Sequence, residues 1–322
     1  MSPTPIPLRR LGRNGPQVTR IGLGMAALGR PGYINLGHGR DLDGCREHDE
    51  MERHAHEMLN AAHLAGIRYV DCARSYGDAE AFVASWLRAR GDDVDDVVVG
   101  SKWGYTYVAD WRVDVDVHEV KDHSPATLER QLATSRDTLG GRLRLYQIHS
   151  ATRESGVLTD RAVLARLAEL RSDGIAVGLS TSGPAQSETI DDAIATGAFD
   201  TVQATFNALE VSAGPALRRA HEAGMGVIIK EAVANGRLTP RGDAAANARL
   251  VAAADGAGPD AAALAWVLAH DFVDCVLLGA TTREQLTSNL GALDVEVDVP
   301  ATTSLAEAPA DYWAARAKLT WN

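Results

Sequence analysis

Eight short apolar runs, each followed by a stretch of helical periodicity, constrain this chain more than any other feature. They cover residues 19–24 (TRIGLG), 67–71 (IRYVD), 96–102 (DVVVGSK), 143–149 (LRLYQIH), 175–180 (IAVGLS), 199–204 (FDTVQA), 225–230 (MGVIIK) and 273–279 (VDCVLLG). Their nearly continuous apolar character suits parallel strands covered on both faces. Between them, Met51, Met58, Ala62 and Ala65 recur at helical spacing, Phe82, Val83, Trp86 and Leu87 form an apolar stripe, and Leu128, Leu132 and Leu139 continue a third helix. Further helices are expected over 163–170, 189–195, 216–223 and 261–269. Ser124 before Pro125 reads as an N-cap with proline at the first helical position. Thr282 with Gln285 resembles a capping box.

Eight such units without a linker predict an α/β fold, one closed (β/α)8 barrel spanning residues 1–322 as a single domain. A doubly wound two-domain sheet is the runner-up. It would normally carry a G-x-G-x-x-G turn after its first strand, and GLGMAALG (residues 22–29) lacks that spacing. Before the first strand, Asn14–Gly15 can turn a short hairpin that plugs the barrel bottom. Three long segments, 30–50, 104–123 and 231–259, follow strands one, three and seven. On a barrel they lie on the catalytic face, and the tail 294–322, with Tyr312, Trp313 and Trp321, can fold across the same rim.

Of the 322 residues, 45% are hydrophobic and 23% charged, a globular composition with room for a large core. No run approaches the roughly 18 apolar residues of a membrane span. The segment MSPTPIPLRRLG lacks the apolar core of a secretory leader. A formal charge of −11 without a basic cluster argues against nucleic acid or anionic lipid as partner. The three cysteines, Cys45, Cys72 and Cys275, have no metal-ligand spacing, so no metal is expected. A reduced, cytoplasmic protein is the natural reading, with Cys72 and Cys275 as small buried residues.

The polar groups at the strand ends carry the chemistry. Strand two ends in Asp71, with Tyr76 five residues on; strands three and four end in Lys102 and His149. Singly each has a plainer use, as a loop cap, a packing ring, a solvated strand end or a structural histidine. Together they make a unit. A neighbouring ammonium lowers a phenol's pKa, and a buried ammonium needs a counter-charge that Asp71 supplies. His149 can hold a carbonyl oxygen near Tyr76. Such a site moves protons on a carbonyl or alcohol oxygen, with hydride from a separate cofactor.

These residues resemble the aldo-keto reductase superfamily over nearly the whole chain. YVDCARSYGDAE is similar to the family's D-T-A-x-x-Y-G-x-x-E segment, with Cys72 in the threonine place; SKWG supplies Lys102 and YQIH supplies His149. The resemblance implies a catalytic tetrad of Asp71, Tyr76, Lys102 and His149, Tyr76 being the general acid in reduction and the base in oxidation. It also implies a nicotinamide cofactor, usually NADPH, with NAD possible. Gly24, Met25 and Asp71 would lie beside it, and Ser180 and Gln203 would hold the carboxamide, with Thr181 where the family has asparagine. After strand seven the chain resembles a branch with a K-E-A-x-A-N-G-R-L run. Lys230 stands where many relatives place an aromatic, followed by Glu231 and Ala232. Gly236, Arg237 and Leu238 would belong to the loop over the pyrophosphate. LLGATTREQLTSNL resembles the adenosine segment, with Gly279, Thr281, Gln285 and Asn289 as contacts. Arg283 would read a 2′-phosphate, since arginine offers several donors in one fork; the family's more familiar arginine is absent here, Gln285 standing in its place.

The expected activity is NADPH-dependent reduction of an aldehyde or ketone, or in reverse oxidation of an alcohol or sugar, by a monomer or weak homo-oligomer. A glycosidase using Asp71 and Glu231 leaves Lys102 and Tyr76 unexplained. A nucleotide-binding regulatory subunit is the non-enzymatic alternative. Tyr33, Asn35, His38, Tyr105, Tyr107 and Trp111, in the first and third loops, are candidates to line a substrate pocket.

Overall fold

The structure, a computed structural model, describes residues 5–322; residues 1–4, the start of the segment read as lacking a leader core, lie outside it. Eight parallel strands close into a barrel: Ile21–Gly24, Tyr69–Asp71, Val98–Trp103, Leu143–Ala151, Ala176–Thr181, Thr201–Thr205, Gly226–Lys230 and Cys275–Leu278. Each lies beside its sequence neighbours, and the eighth closes on the first with Val276 opposite Ile21. These are the eight apolar runs, shifted by a residue or two at their ends.

The hairpin pairs Leu8–Arg10 with Gln17–Thr19. Leu11 and Val18 pack with Tyr69, Leu145, Ile228 and Cys275 inside the barrel, so the hairpin does plug its bottom. Cys72 and Cys275 are buried free thiols. A larger cluster joins the outer strand faces to the surrounding helices. Among the described residues, no helix is long and apolar enough to cross a membrane.

Local chemistry explains several helix starts. Ser124 Oγ accepts from Thr127 N at 3.3 Å, with Pro125 opening the helix Pro125–Leu139. The expected capping box at Thr282 is only half formed. Thr282 Oγ1 accepts from Gln285 N, but the Gln285 side chain turns away to Thr281 N at 2.9 Å and to Asp41. The recipient lies in the first loop, which sequence spacing cannot bring near.

Two of the long segments contain structure that the sequence pattern does not announce. The third loop folds a second hairpin, Tyr105–Tyr107 with Glu119–Lys121. Three-residue strands are too short to establish a period. The seventh loop carries the helix Ala244–Ala253, started by Asp243, whose carboxylate accepts from Ala245 N and Ala246 N. Asp243 before an alanine-rich run was the available signal.

Candidate active site

The four singled-out side chains converge at the C-terminal mouth of the barrel. The register sets Asp71 beside Gly24 and Gly100, and Lys102 beside Gln147. Tyr76 sits on the turn after strand two. There Gly77 has φ +56°, and a Cβ on it would lie 2.3 Å from Gly29 O; a Cβ on Gly29 would lie 2.3 Å from Tyr76 O. Only a pair of glycines allows this approach, sealed by Asp78 N donating to Gly29 O at 2.9 Å. His149 lies where strand four loses register between Ile148 and Ala151, with Ser150 at φ +50°. The strand runs on to Ala151 through this irregularity, which re-aims its side chains toward the mouth.

The Lys102 ammonium is fully buried, paired with Asp71 Oδ2 and donating to Cys72 O at 2.9 Å. It stands 3.3 Å from the Tyr76 hydroxyl. The other Asp71 oxygen accepts from Gln203 Nε2 at 3.1 Å and from Tyr69 Oη at 3.3 Å. Gln147 Nε2 lies 3.4 Å from it. Glu80 anchors the neighbouring loop by accepting from Ser101, Ser135 and Arg74. His149 Nδ1 meets Ser75 Oγ at 3.3 Å, and its ring stands edge-on to Tyr76 with centroids 5.4 Å apart.

The electrostatics correct one expectation. Lys102 was expected to pull the Tyr76 phenol down. Instead burial, followed by the Asp71 charge, pushes it well above its ordinary value, and Arg30 opposes them. Tyr76 therefore holds its proton at neutral pH. Burial and then the nearby Lys102, Lys230 and Arg30 charges hold His149 well below the usual imidazole range, so it is neutral. Burial also lowers His38 and His123 to about 4.

These three histidines give a signed prediction. Below pH 6.5 the unfolded chain takes up protons that the folded chain refuses, so stability falls as pH drops. At pH 5.5 each depressed histidine costs about 1.4 kcal/mol relative to pH 7.5. Urea midpoints at the two pH values check this; equal unfolding free energies would show that the histidines protonate in the folded state.

Above the tetrad lies a cavity of about 430 Å³. Its wall includes Tyr33, Tyr105, Lys230, Arg316 and Trp321. Arg30, 2% exposed, bonds Ser75 O and Glu119 and lies 4.5 Å from the Trp321 ring centroid. Trp321 stacks on His118, so the tail does cross the rim. Tyr312 is buried and accepts from Asn207. Trp111 packs on His48 and Phe82 and donates to Arg46 O, away from the cavity, and Tyr107 does not line it. Sequence reading missed Arg30, Ser75, His118, Glu119 and Arg316, which carry no local motif.

The sequence profile of the aldo/keto reductase family matches residues 20–307. The chain belongs to the aldo/keto reductase family. Aldo-keto reductase str7 of Strobilurus tenacellus is 30% identical over 129 residues; the match covers 39% of this chain and a third (33%) of that relative's length. Among solved structures, the holo form of aldo-keto reductase AKR11C1 from Bacillus halodurans is similar with a TM-score of 0.72 at 21% identity, over 94% of this chain and 97% of that one. A Pseudomonas aeruginosa structure described as an aldo-keto reductase gives 0.65 at 24% identity, over 88% and 93%. These structural likenesses concern the fold.

A second cavity, a channel of about 310 Å³, shares Tyr33 and Glu231 with the first and runs to Gly279–Thr281 and Gln285–Asn289. Polar atoms without partners face it, as a site for a polar ligand requires: Asn235 Oδ1 and both His38 ring nitrogens are buried there unpaired. Of the expected nucleotide contacts, Glu231, Ala232, Gly236, Gly279, Thr281, Gln285 and Asn289 line it. Gly24 and Met25 lie at the end of strand one, Met25 N donating to Asp71 O at 2.9 Å. Ser180 is buried and accepts from Ser150 N at 2.8 Å, whereas the buried Thr181 hydroxyl has no partner. Gln203 is 1% exposed and its amide nitrogen serves Asp71.

Three expected contacts point elsewhere. Arg237 pairs with Glu307, Leu238 is buried in the core, and Arg283 is exposed and outside the channel lining. Lys230 donates to Thr205 Oγ1 at 2.8 Å and lies 4.0 Å from Glu231; burial lowers it to about 8. Glu231, at φ +57°, accepts the Arg316 fork, and the Lys230 and Arg316 charges outweigh its burial to hold it at about 2. Both carboxylates weighed as a glycosidase pair, Asp71 and Glu231, are thus neutralised by cations rather than free to act on a glycosidic bond.

Proposed function

We propose that this chain reduces an aldehyde or ketone to an alcohol, with Tyr76 as general acid and a nicotinamide dinucleotide in the channel. The observation that carries the reading is a protonated phenol 3.3 Å from a buried ammonium, at the floor of a cavity that shares Tyr33 and Glu231 with the neighbouring channel.

When bound, the dinucleotide supplies hydride to the carbonyl carbon. Glu231, Asn235, Gly279, Thr281, Gln285 and Asn289 would hold it along the channel. Tyr76 Oη gives its proton to the carbonyl oxygen, and Lys102, fixed by Asp71, stabilises the phenolate left behind. Neutral His149, steadied at Nδ1 by Ser75, orients the oxygen through Nε2. Arg30, Trp321 and Tyr33 wall the cavity and limit water. The high pKa of Tyr76 favours reduction over alcohol oxidation at neutral pH, because the resting phenol already carries the proton to be given.

The test is loss of reduced-nicotinamide absorbance on adding aliphatic, aryl and sugar carbonyls. Turnover that needs both protein and carbonyl is expected. Folded, nucleotide-bound protein that turns over none of them would favour a regulatory subunit instead.

A further inference from the structure

The far end of the channel carries a charge pattern that the proposed reaction does not use. Asp41, from the one-turn helix His38–Asp41 in the first loop, points into it with its side chain 8% exposed. Arg241 of the seventh loop forks onto it at 2.7 and 2.5 Å, and Gln285 Nε2 donates at 2.8 Å. Thr281 Oγ1 lies 3.5 Å away. A carboxylate has about four lone-pair directions. Gln285, one Arg241 nitrogen and, at the longest distance, Thr281 share Oδ2, whereas Oδ1 takes only the other Arg241 nitrogen and keeps a direction for a further donor.

The other charged side chains that line this end of the channel are also acidic. Glu284 lines the channel at the first turn of the helix Arg283–Leu290. Its own backbone amide and the Thr282 hydroxyl lower its pKa, so it is an anion at neutral pH. The helix start is thereby already served by an anion. Asp260 is tied to Asn289 at 2.8 Å. Among the described residues lining the channel, Arg241 is the single cation, since His38 is neutral, and Asp41 has claimed it. A phosphate monoester placed here would meet two carboxylates and, within the lining, no cation but the one Asp41 holds; Arg40 and Arg46 of the first loop stand outside it. A sugar hydroxyl could instead donate to the open position on Asp41.

We propose that Asp41 makes this chain select dinucleotides whose adenosine ribose bears a free 2′-hydroxyl, NADH and NAD, over their 2′-phosphorylated forms. The inference rests on the reading of the channel as a nicotinamide dinucleotide site, and it departs from the NADPH expectation built on Arg283.

The experiment is a fluorescence titration of the full chain with NADH and NADPH, repeated on Asp41→Asn and Arg283→Ala. NADH is expected to bind at least about tenfold tighter than NADPH. Asp41→Asn, which keeps the shape and removes the charge, should narrow that ratio severalfold by tightening NADPH. Arg283→Ala should change neither affinity. Equal binding, tighter NADPH, or an NADPH loss confined to Arg283→Ala would overturn the inference and leave the reductase reading intact. Failure of folded wild-type protein to bind either nucleotide would defeat the reductase reading itself. Should Asp41→Asn not fold, the wild-type ratio still decides.

Discussion

Tyr76→Phe is expected to lower kcat for carbonyl reduction by roughly 10²–10⁴-fold, the usual worth of a positioned general acid. The ring stays edge-on to His149, so packing and nucleotide affinity should persist. What disappears is the proton held beside Lys102. Because burial raises the phenol well above 10, wild-type reduction should be flat through neutral pH and decline only as the phenol ionises in alkali. The residual activity of Tyr76→Phe should lack that alkaline limb. Steady-state kinetics against pH, with nucleotide binding measured in parallel, check both points. A variant with wild-type kcat would remove Tyr76 from the reaction and move attention to His149.

Asp71→Asn should cost about 3–5 kcal/mol of folding stability, because it leaves a fully buried ammonium without its counter-charge. The geometry around the other oxygen compounds the loss. Tyr69 Oη, Gln147 Nε2 and Gln203 Nε2 all face Asp71 Oδ1. An amide offers one acceptor oxygen where the carboxylate offers two, so one set of donors would meet an NH₂ group. Lys102 can relieve its isolation by losing its proton, which would also withdraw the charge that steadies the Tyr76 phenolate. Stability and kcat should therefore fall together. Urea unfolding and kinetics on one preparation test the pair. Unchanged stability would mean that water or Cys72 O supplies enough compensation for Lys102.

The barrel was legible because it depends on local patterns repeated eight times. Each apolar run, as in DVVVGSK or VDCVLLG, announces a strand, and strand ends of one polarity must meet on one face. Asp71, Tyr76, Lys102 and His149 were found for the same reason. Each ends or closely follows a run, so topology alone brings them together. The hairpin plug was legible through Asn14–Gly15 and the apolar residues flanking it. The short hairpin at Tyr105–Tyr107 was not, since three residues define no period.

Partners across loops were beyond the sequence. Gln285 reads as half of a capping box, but its side chain serves Asp41, 244 positions away along the chain. Arg283 offers the right group for a phosphate, yet its place on the helix turns it to solvent. Arg30 and Arg316 have no motif, and only the fold sets them over the tetrad.

The sign of the Tyr76 shift depends on depth as much as on neighbours. A sequence shows that an ammonium stands near a phenol; it does not show how much water is excluded from both. By itself, the sequence determined the barrel, the family and the identity of the four groups at its mouth, because backbone periodicity and strand-end chemistry are local. The tertiary structure alone decided which charges pair across loops, which groups keep their protons, and which sign of charge the channel offers a ligand. Those properties depend on distance and desolvation, and both are set by contacts between residues far apart in the chain.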